Sequence, residues 1–238
     1  MRTGPCLGCL GLAALLLAGC ETLNTQSLLD AMSGKQGGLS LETIVAGLRE
    51  ALAVGTQNTV NLTGKEGGYA LNQRLRIPVP AELETVAKTL RTLGFGSMVS
   101  DFEGKMNAAA EQAAAQAAPV FLGAIREMTF ADAKAILSGP DTAATDYFRA
   151  KTSAQLRDLY APIVRQAMEK VGAVTAYNNL LARYQQIPLV PKPKFTVESY
   201  VSEKGIDGLF TILADEERKI RQDPAARTTE LLRRVFGS

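Results

Sequence analysis

Histidine and tryptophan are missing altogether from this chain of 238 residues, and its three cysteines, Cys6, Cys9 and Cys20, all lie at the start. Without histidine there is no Ser-His-Asp or Cys-His nucleophile system, no haem held through an imidazole and no zinc site built on imidazoles. The routes left to catalysis are carboxylate pairs, lysine, tyrosine or a hard cation held by oxygen ligands. No motif marks any of them, and no cofactor is expected. An excess of one charge is lacking as well, with 26 Lys and Arg against 24 Asp and Glu. A nucleic-acid partner needs a clear cationic surplus, so none is expected either.

What is present begins with an apolar run from Leu7 to Ala18, preceded by Arg2 as its one charge. It is about a dozen residues long, the length of a signal-peptide core, where a membrane-spanning helix needs roughly 20. Leu17-Ala18-Gly19-Cys20 closes it and resembles the lipobox of bacterial lipoproteins, in which the cysteine takes a thioether-linked diacylglycerol before cleavage. The division expected is a signal peptide over 1–19, a lipidated tether over 20–38 and a helical domain over 39–238. Two or three acyl chains, each buried CH₂ contributing about 0.8 kcal/mol, would hold Cys20 at the membrane essentially permanently. Glu21 stands where aspartate tends to retain lipoproteins in the inner membrane, which favours the periplasmic face of the outer membrane. Cys6 and Cys9 would leave with the signal, so no disulfide can form and stability must come from packing.

Beyond Gly38 the pattern is helical. Leu41, Ile44, Val45, Leu48, Leu52 and Gly55 share one face, ending by Gly64. Arg74 to Pro80 alternates polar and apolar before two prolines, predicting an extended arm or a small two-stranded element at an edge. Leu83, Val86, Ala87, Leu90 and Leu93 stripe a second helix stopped at Gly94, and an alanine-rich helix follows until Pro119. Phe121, Leu122 and Ile125 carry the next. Thr129 and Asp132 have capping-box spacing for a short helix with Phe130, Ala133 and Ile136 inside, ended by Ser138-Gly139-Pro140. Asp141 or Thr142 caps another turn through Tyr147 and Phe148. A clear amphipathic helix follows Ser153, with Pro162 inside it, and a further one carries Tyr177, Leu180 and Tyr184. Residues 187–194 read as a proline-rich connector to a last helical unit broken at Asp223-Pro224, too short to bury its own core. The fold class expected is all-α, one bundle-like domain of many helices.

Several stretches in order carry a family likeness: Gly47-Leu48-Arg49-Glu50-Ala51-Leu52, Met106 to Glu111, Phe130 to Ala133 with Ile136 to Gly139, Ala144 to Phe148, and Gly208-Leu209-Phe210 with Glu217, Ile220 and Arg221. They resemble a family of bacterial exported proteins, often lipoproteins, defined only as a domain of unknown function. The resemblance spans about Leu39 to Gly237 and implies fold boundaries but no activity.

Two groups of residues are candidates for a polar cleft. Asn107 and Glu111, four apart, share a helix face otherwise made of alanine and could bind a polar ligand, or form a surface pair or buried hydrogen bonds. Asp132, Asp141, Thr145, Asp146 and Tyr147 cluster in sequence around a Gly-Pro turn and could hold a cation or a sugar, although the spacing lacks the alternation of a calcium loop and a turn with helix caps accounts for the Gly, Pro, Asp and Thr without remainder. Asp215-Glu216-Glu217-Arg218-Lys219 reads as a solvated helical face, with Glu217 and Arg221 spaced for an i,i+4 pair worth a few tenths of a kcal/mol. The function these features favour is a membrane-anchored, non-catalytic binding or scaffold module with an envelope protein as partner. The alternatives are a carrier of a small apolar ligand and a hydrolase using carboxylates.

Overall fold

In the computed structural model, which describes residues 40–186 and 196–236, apolar residues at three- and four-residue spacing become helices throughout. They are α1 (Leu41–Thr63), α2 (Glu84–Thr92), α3 (Gly96–Ala114), α4 (Ala118–Glu127), α5 (Phe130–Leu137), α6 (Ala143–Lys170), α7 (Ala173–Gln185), α8 (Val197–Gln222) and α9 (Glu230–Phe236), with short 3₁₀ turns at Ala81–Leu83 and Pro224–Ala226. The fold is all-α, with no strand among the described residues. No helix among them is long and apolar enough to cross a membrane. The signal, Cys20, the tether and the proline-rich connector lie outside the described residues.

Helix α8 is the centre, packed on α1, α3 and α6, while α9 lies against α1. Small residues let these helices approach. Ala109, Ala110, Ala113 and Ala114 of α3 are all buried, as the alanine run suggested. Aromatic rings knit three helices together: Phe121 of α4 meets Phe148 of α6 and Phe210 of α8 edge-on, with ring centres 6.4 and 5.7 Å apart. Each such ring, fully buried, contributes about 1.5–3 kcal/mol through removal from water. Leu232 of α9 is buried against Ala51 and Ile220, so the last unit does pack back on the bundle.

Four sequence readings change. The helix expected to start at Ser153 is the second half of α6, which runs unbroken from Ala143 through Pro162. The hydroxyl of Thr152 donates to the Phe148 carbonyl one turn back, so a residue that looks like a helix boundary is absorbed into the interior. Arg74 and Leu75 belong to a turn in which the Leu75 and Arg76 N–H groups donate to the Asn72 carbonyl, and only residues 76–80 form the arm, which pairs with no strand. Leu93 and Phe130, placed on buried stripes, are exposed because each stands at a helix end where no neighbour covers it. Glu216 and Glu217, read as solvated, are buried.

Candidate functional site

Buried polar groups need partners, and here they converge on two places. The first is the arm before α2. Asn107 and Glu111 point from α3 into the interior, Glu111 being 6% exposed. The Asn107 carboxamide accepts from the Ile77 N–H at 2.9 Å and donates to the Ile77 carbonyl at 2.8 Å. One side chain thus supplies both hydrogen bonds a neighbouring strand would give, which is why the arm from Arg76 to Pro80 needs no sheet while Ile77 and Val79, with Leu75 in the turn before them, are buried. Glu111 Oε1 accepts from the Tyr69 and Ala70 N–H groups, each at 3.0 Å. Arg74 and Arg76, outside, pair with Asp215 at 2.6 Å and Glu103 at 3.2 Å.

Tyr69 continues the lock inward. Its hydroxyl donates to the Gly205 carbonyl at 2.6 Å. The ring lies so close to α8 that a Cβ at Gly208 would sit 2.5 Å from it, and one at Gly205 would sit 3.1 Å from the ring of Tyr160. Burial, above all, pushes both phenols well up from the ordinary 10.0. The unfolded chain therefore loses these protons first, and stability present below pH 10 falls as pH rises beyond it. Alkaline titration followed by tyrosinate absorbance and circular dichroism should show Tyr69 and Tyr160 ionising only as the helices melt; ionisation of all 6 tyrosines in the intact fold would count against the buried pair.

The second place is Glu217 on α8, 7% exposed. Its Oε1 accepts from the Ala144 N–H at 2.9 Å, and its Oε2 from the N–H and the hydroxyl of Thr145, both at 2.9 Å. These amides open α6, where free N–H groups and the helix dipole favour an anion. Of the two residues expected as the cap, Asp141 and Thr142, it is Thr142 that holds the position, but it makes no side-chain cap bond, and its hydroxyl donates to Asp146 at 3.2 Å. Arg221, one turn along α8, donates to Glu217 Oε1 at 2.9 Å and to the Ile136 carbonyl at 2.9 Å, near the end of α5. One ion pair therefore closes the start of one helix and the end of another. Beside it Glu216 accepts from Asn58 at 2.8 Å and Lys219 at 2.5 Å. Leu48, Leu52, Gly55, Leu213 and Ile220 complete a cavity of about 20 Å³ over the Glu217–Arg221 pair, room for a single water.

The remaining candidates do not gather into one cleft. Asp132 forms the capping box with Thr129 and accepts from the Tyr147 hydroxyl at 3.2 Å. The Thr129 hydroxyl, followed by the Thr129 amide, holds the Asp132 carboxyl below its usual range. Asp141 and Asp146 are exposed, Asp141 accepting from Gln222. Thr145 alone joins Glu217. Sequence reasoning found the Glu217–Arg221 spacing but took the pair for a surface contact, and it missed Tyr69 and Tyr160; the three-residue spacing of Gly205 and Gly208 was the available sign that rings approach α8. Among the described residues no group of three or more Asp, Glu, Cys or His could hold a metal ion.

The family model described as protein of unknown function, DUF4197, matches residues 38–237, and the chain belongs to that family. No curated protein and no solved structure matches it.

Proposed function

We propose that this member of the DUF4197 family is a non-catalytic helical module of the bacterial envelope, anchored through acyl chains on Cys20 to the periplasmic face of the outer membrane and serving to bind a protein partner there. The observation that carries the non-catalytic part is the occupancy of the buried carboxylates. Glu111 and Glu217 face backbone N–H groups at 2.9–3.0 Å, positions in which a carboxylate organises the fold and has no access to a substrate. A hydrolase using carboxylates needs two acids converging in one pocket, whereas Asp132 sits in a capping box and Asp141 and Asp146 are exposed. A carrier needs an enclosed pocket of about 300–1,000 Å³; the apolar cavity over Glu217 offers about 20 Å³, and the groove of about 330 Å³ beside Phe95 is open to solvent and lined in part by Asn179, Arg183 and Gln186.

The anchoring part rests on Leu17-Ala18-Gly19-Cys20. Cys20→Ser is expected to abolish metabolic labelling with palmitate and release the chain from the membrane fraction, while its helical circular dichroism stays the same. Retention of the variant in washed membranes would refute lipidation as the anchor. Native mass spectrometry of protein extracted from its own host should show no co-purifying small molecule; a stoichiometric one would favour the carrier.

A further inference from the structure

Large exposed apolar side chains occur at scattered points among the described residues, and one pair stands together: Leu93, 54% exposed, and Phe95, 37% exposed, at the turn from α2 to α3. Gly94 between them has φ +84°, a left-handed conformation that residues with a Cβ disfavour. Phe95 and Met98 then border an open groove of about 330 Å³ with Ala182 and Arg183 near the end of α7.

The charges around this turn have one sign. From Ala87 to Ser100 the charged residues are Lys88 and Arg91, and the Arg183 guanidinium lies 5.6 Å from the centre of the Phe95 ring. The acids nearest in sequence are already paired, Glu84 at 3.9 Å from Arg91 and Asp101 at 3.0 Å from Lys105. Two apolar side chains at a turn that has Arg183 over the Phe95 ring, Lys88 one helical turn before it and Arg91 in a long 3.9 Å contact with Glu84 have the composition of a membrane-surface contact: apolar groups reach the acyl boundary and basic groups meet anionic headgroups.

We propose that the α2–α3 turn docks the domain on an anionic bilayer, with Leu93 and Phe95 entering the interface and Lys88, Arg91 and Arg183 facing the headgroups. This rests on the reading of the chain as lipid-anchored. Residues 21–40 separate Cys20 from α1, and a tether of that length spans at most about 70 Å. A domain confined so close to the bilayer meets it at high effective concentration, so a contact too weak to hold a free protein suffices.

The absence of tryptophan from the chain makes the test direct. Leu93→Trp, Phe95→Trp and Phe130→Trp each introduce a single reporter into the full chain, reconstituted into vesicles of phosphatidylethanolamine and phosphatidylglycerol with brominated acyl chains. Phe130 is the control, being 53% exposed on α5, which packs chiefly on α1 and α6. The reporters at positions 93 and 95 should each lose about half of their emission to bromine, the one at position 130 should lose none, and replacing phosphatidylglycerol by phosphatidylcholine should reverse the loss. Equal quenching at all three positions, or none at 93 and 95, overturns the docking. Flotation with the vesicles reports the anchor separately: flotation without quenching defeats docking and leaves the anchor standing, while quenching with flotation that does not depend on Cys20 does the reverse.

Discussion

Glu217→Ala is expected to lower the unfolding free energy by about 3–5 kcal/mol, the cost of removing one partner from a buried ion pair. The loss has three sources. The Ala144 and Thr145 amides lose their acceptor where the fold leaves them buried. The start of α6 loses the anion that its dipole favours. Arg221, whose side chain is 13% exposed, keeps its charge without a counter-ion and retains only the Ile136 carbonyl. Urea unfolding monitored by circular dichroism measures the change. Glu217→Gln, which keeps an acceptor but not the charge, should fall between Glu217→Ala and the native chain. Adding Arg221→Met to Glu217→Ala should recover part of the loss, because the stranded charge is then gone. A single variant as stable as the native chain would mean that water replaces the carboxylate at no cost.

Asn107→Leu should be the second most damaging change, at about 3 kcal/mol, since two buried backbone groups each lose a partner at about 1–3 kcal/mol. Leucine has the same number and branching of side-chain heavy atoms as asparagine, so packing around α3 is disturbed little and the polar loss dominates. The effect should be local first: hydrogen exchange at the Ile77 amide should accelerate well before the rest of the bundle opens. Asn107→Asp separates the two bonds, because a carboxylate accepts from the Ile77 N–H but faces the Ile77 carbonyl with no donor. Unchanged exchange at Ile77 in Asn107→Leu would show that the arm is held by Leu75, Ile77 and Val79 alone.

Features that depend on short sequence separation were legible and those that depend on long separation were not. The capping box of Thr129 and Asp132 closes over three residues, so composition and spacing were enough to find it. The shared face of Asn107 and Glu111 was readable from their four-residue offset, but what they face, residues 69–77, lies 30 to 42 positions away. Glu217 was hidden more deeply. It sits in a run of five charged residues that has the composition of a solvated helix, and its partners Ala144 and Thr145 are 73 and 72 positions off. Nothing local separates Glu217 from Asp215, which stays near the surface with Arg74 and Arg218. The division of α6 at Ser153 failed for a different reason: hydroxyls favour boundaries on average, yet those of Thr152 and Ser153 donate back to carbonyls of their own helix.

The place of α8 in the chain also sets a clock. Asn58 of α1, Tyr69 of the arm and Ala144 of α6 all wait for partners on Glu216, at Gly205 and on Glu217, which lie 158, 136 and 73 positions later. Contacts of such separation form late, since the loop must close before any bond rewards it. A ribosome that has released everything up to α7 has released helices with their central neighbour missing. The polypeptide stays pliable until α8 arrives, and then several ends close in one step.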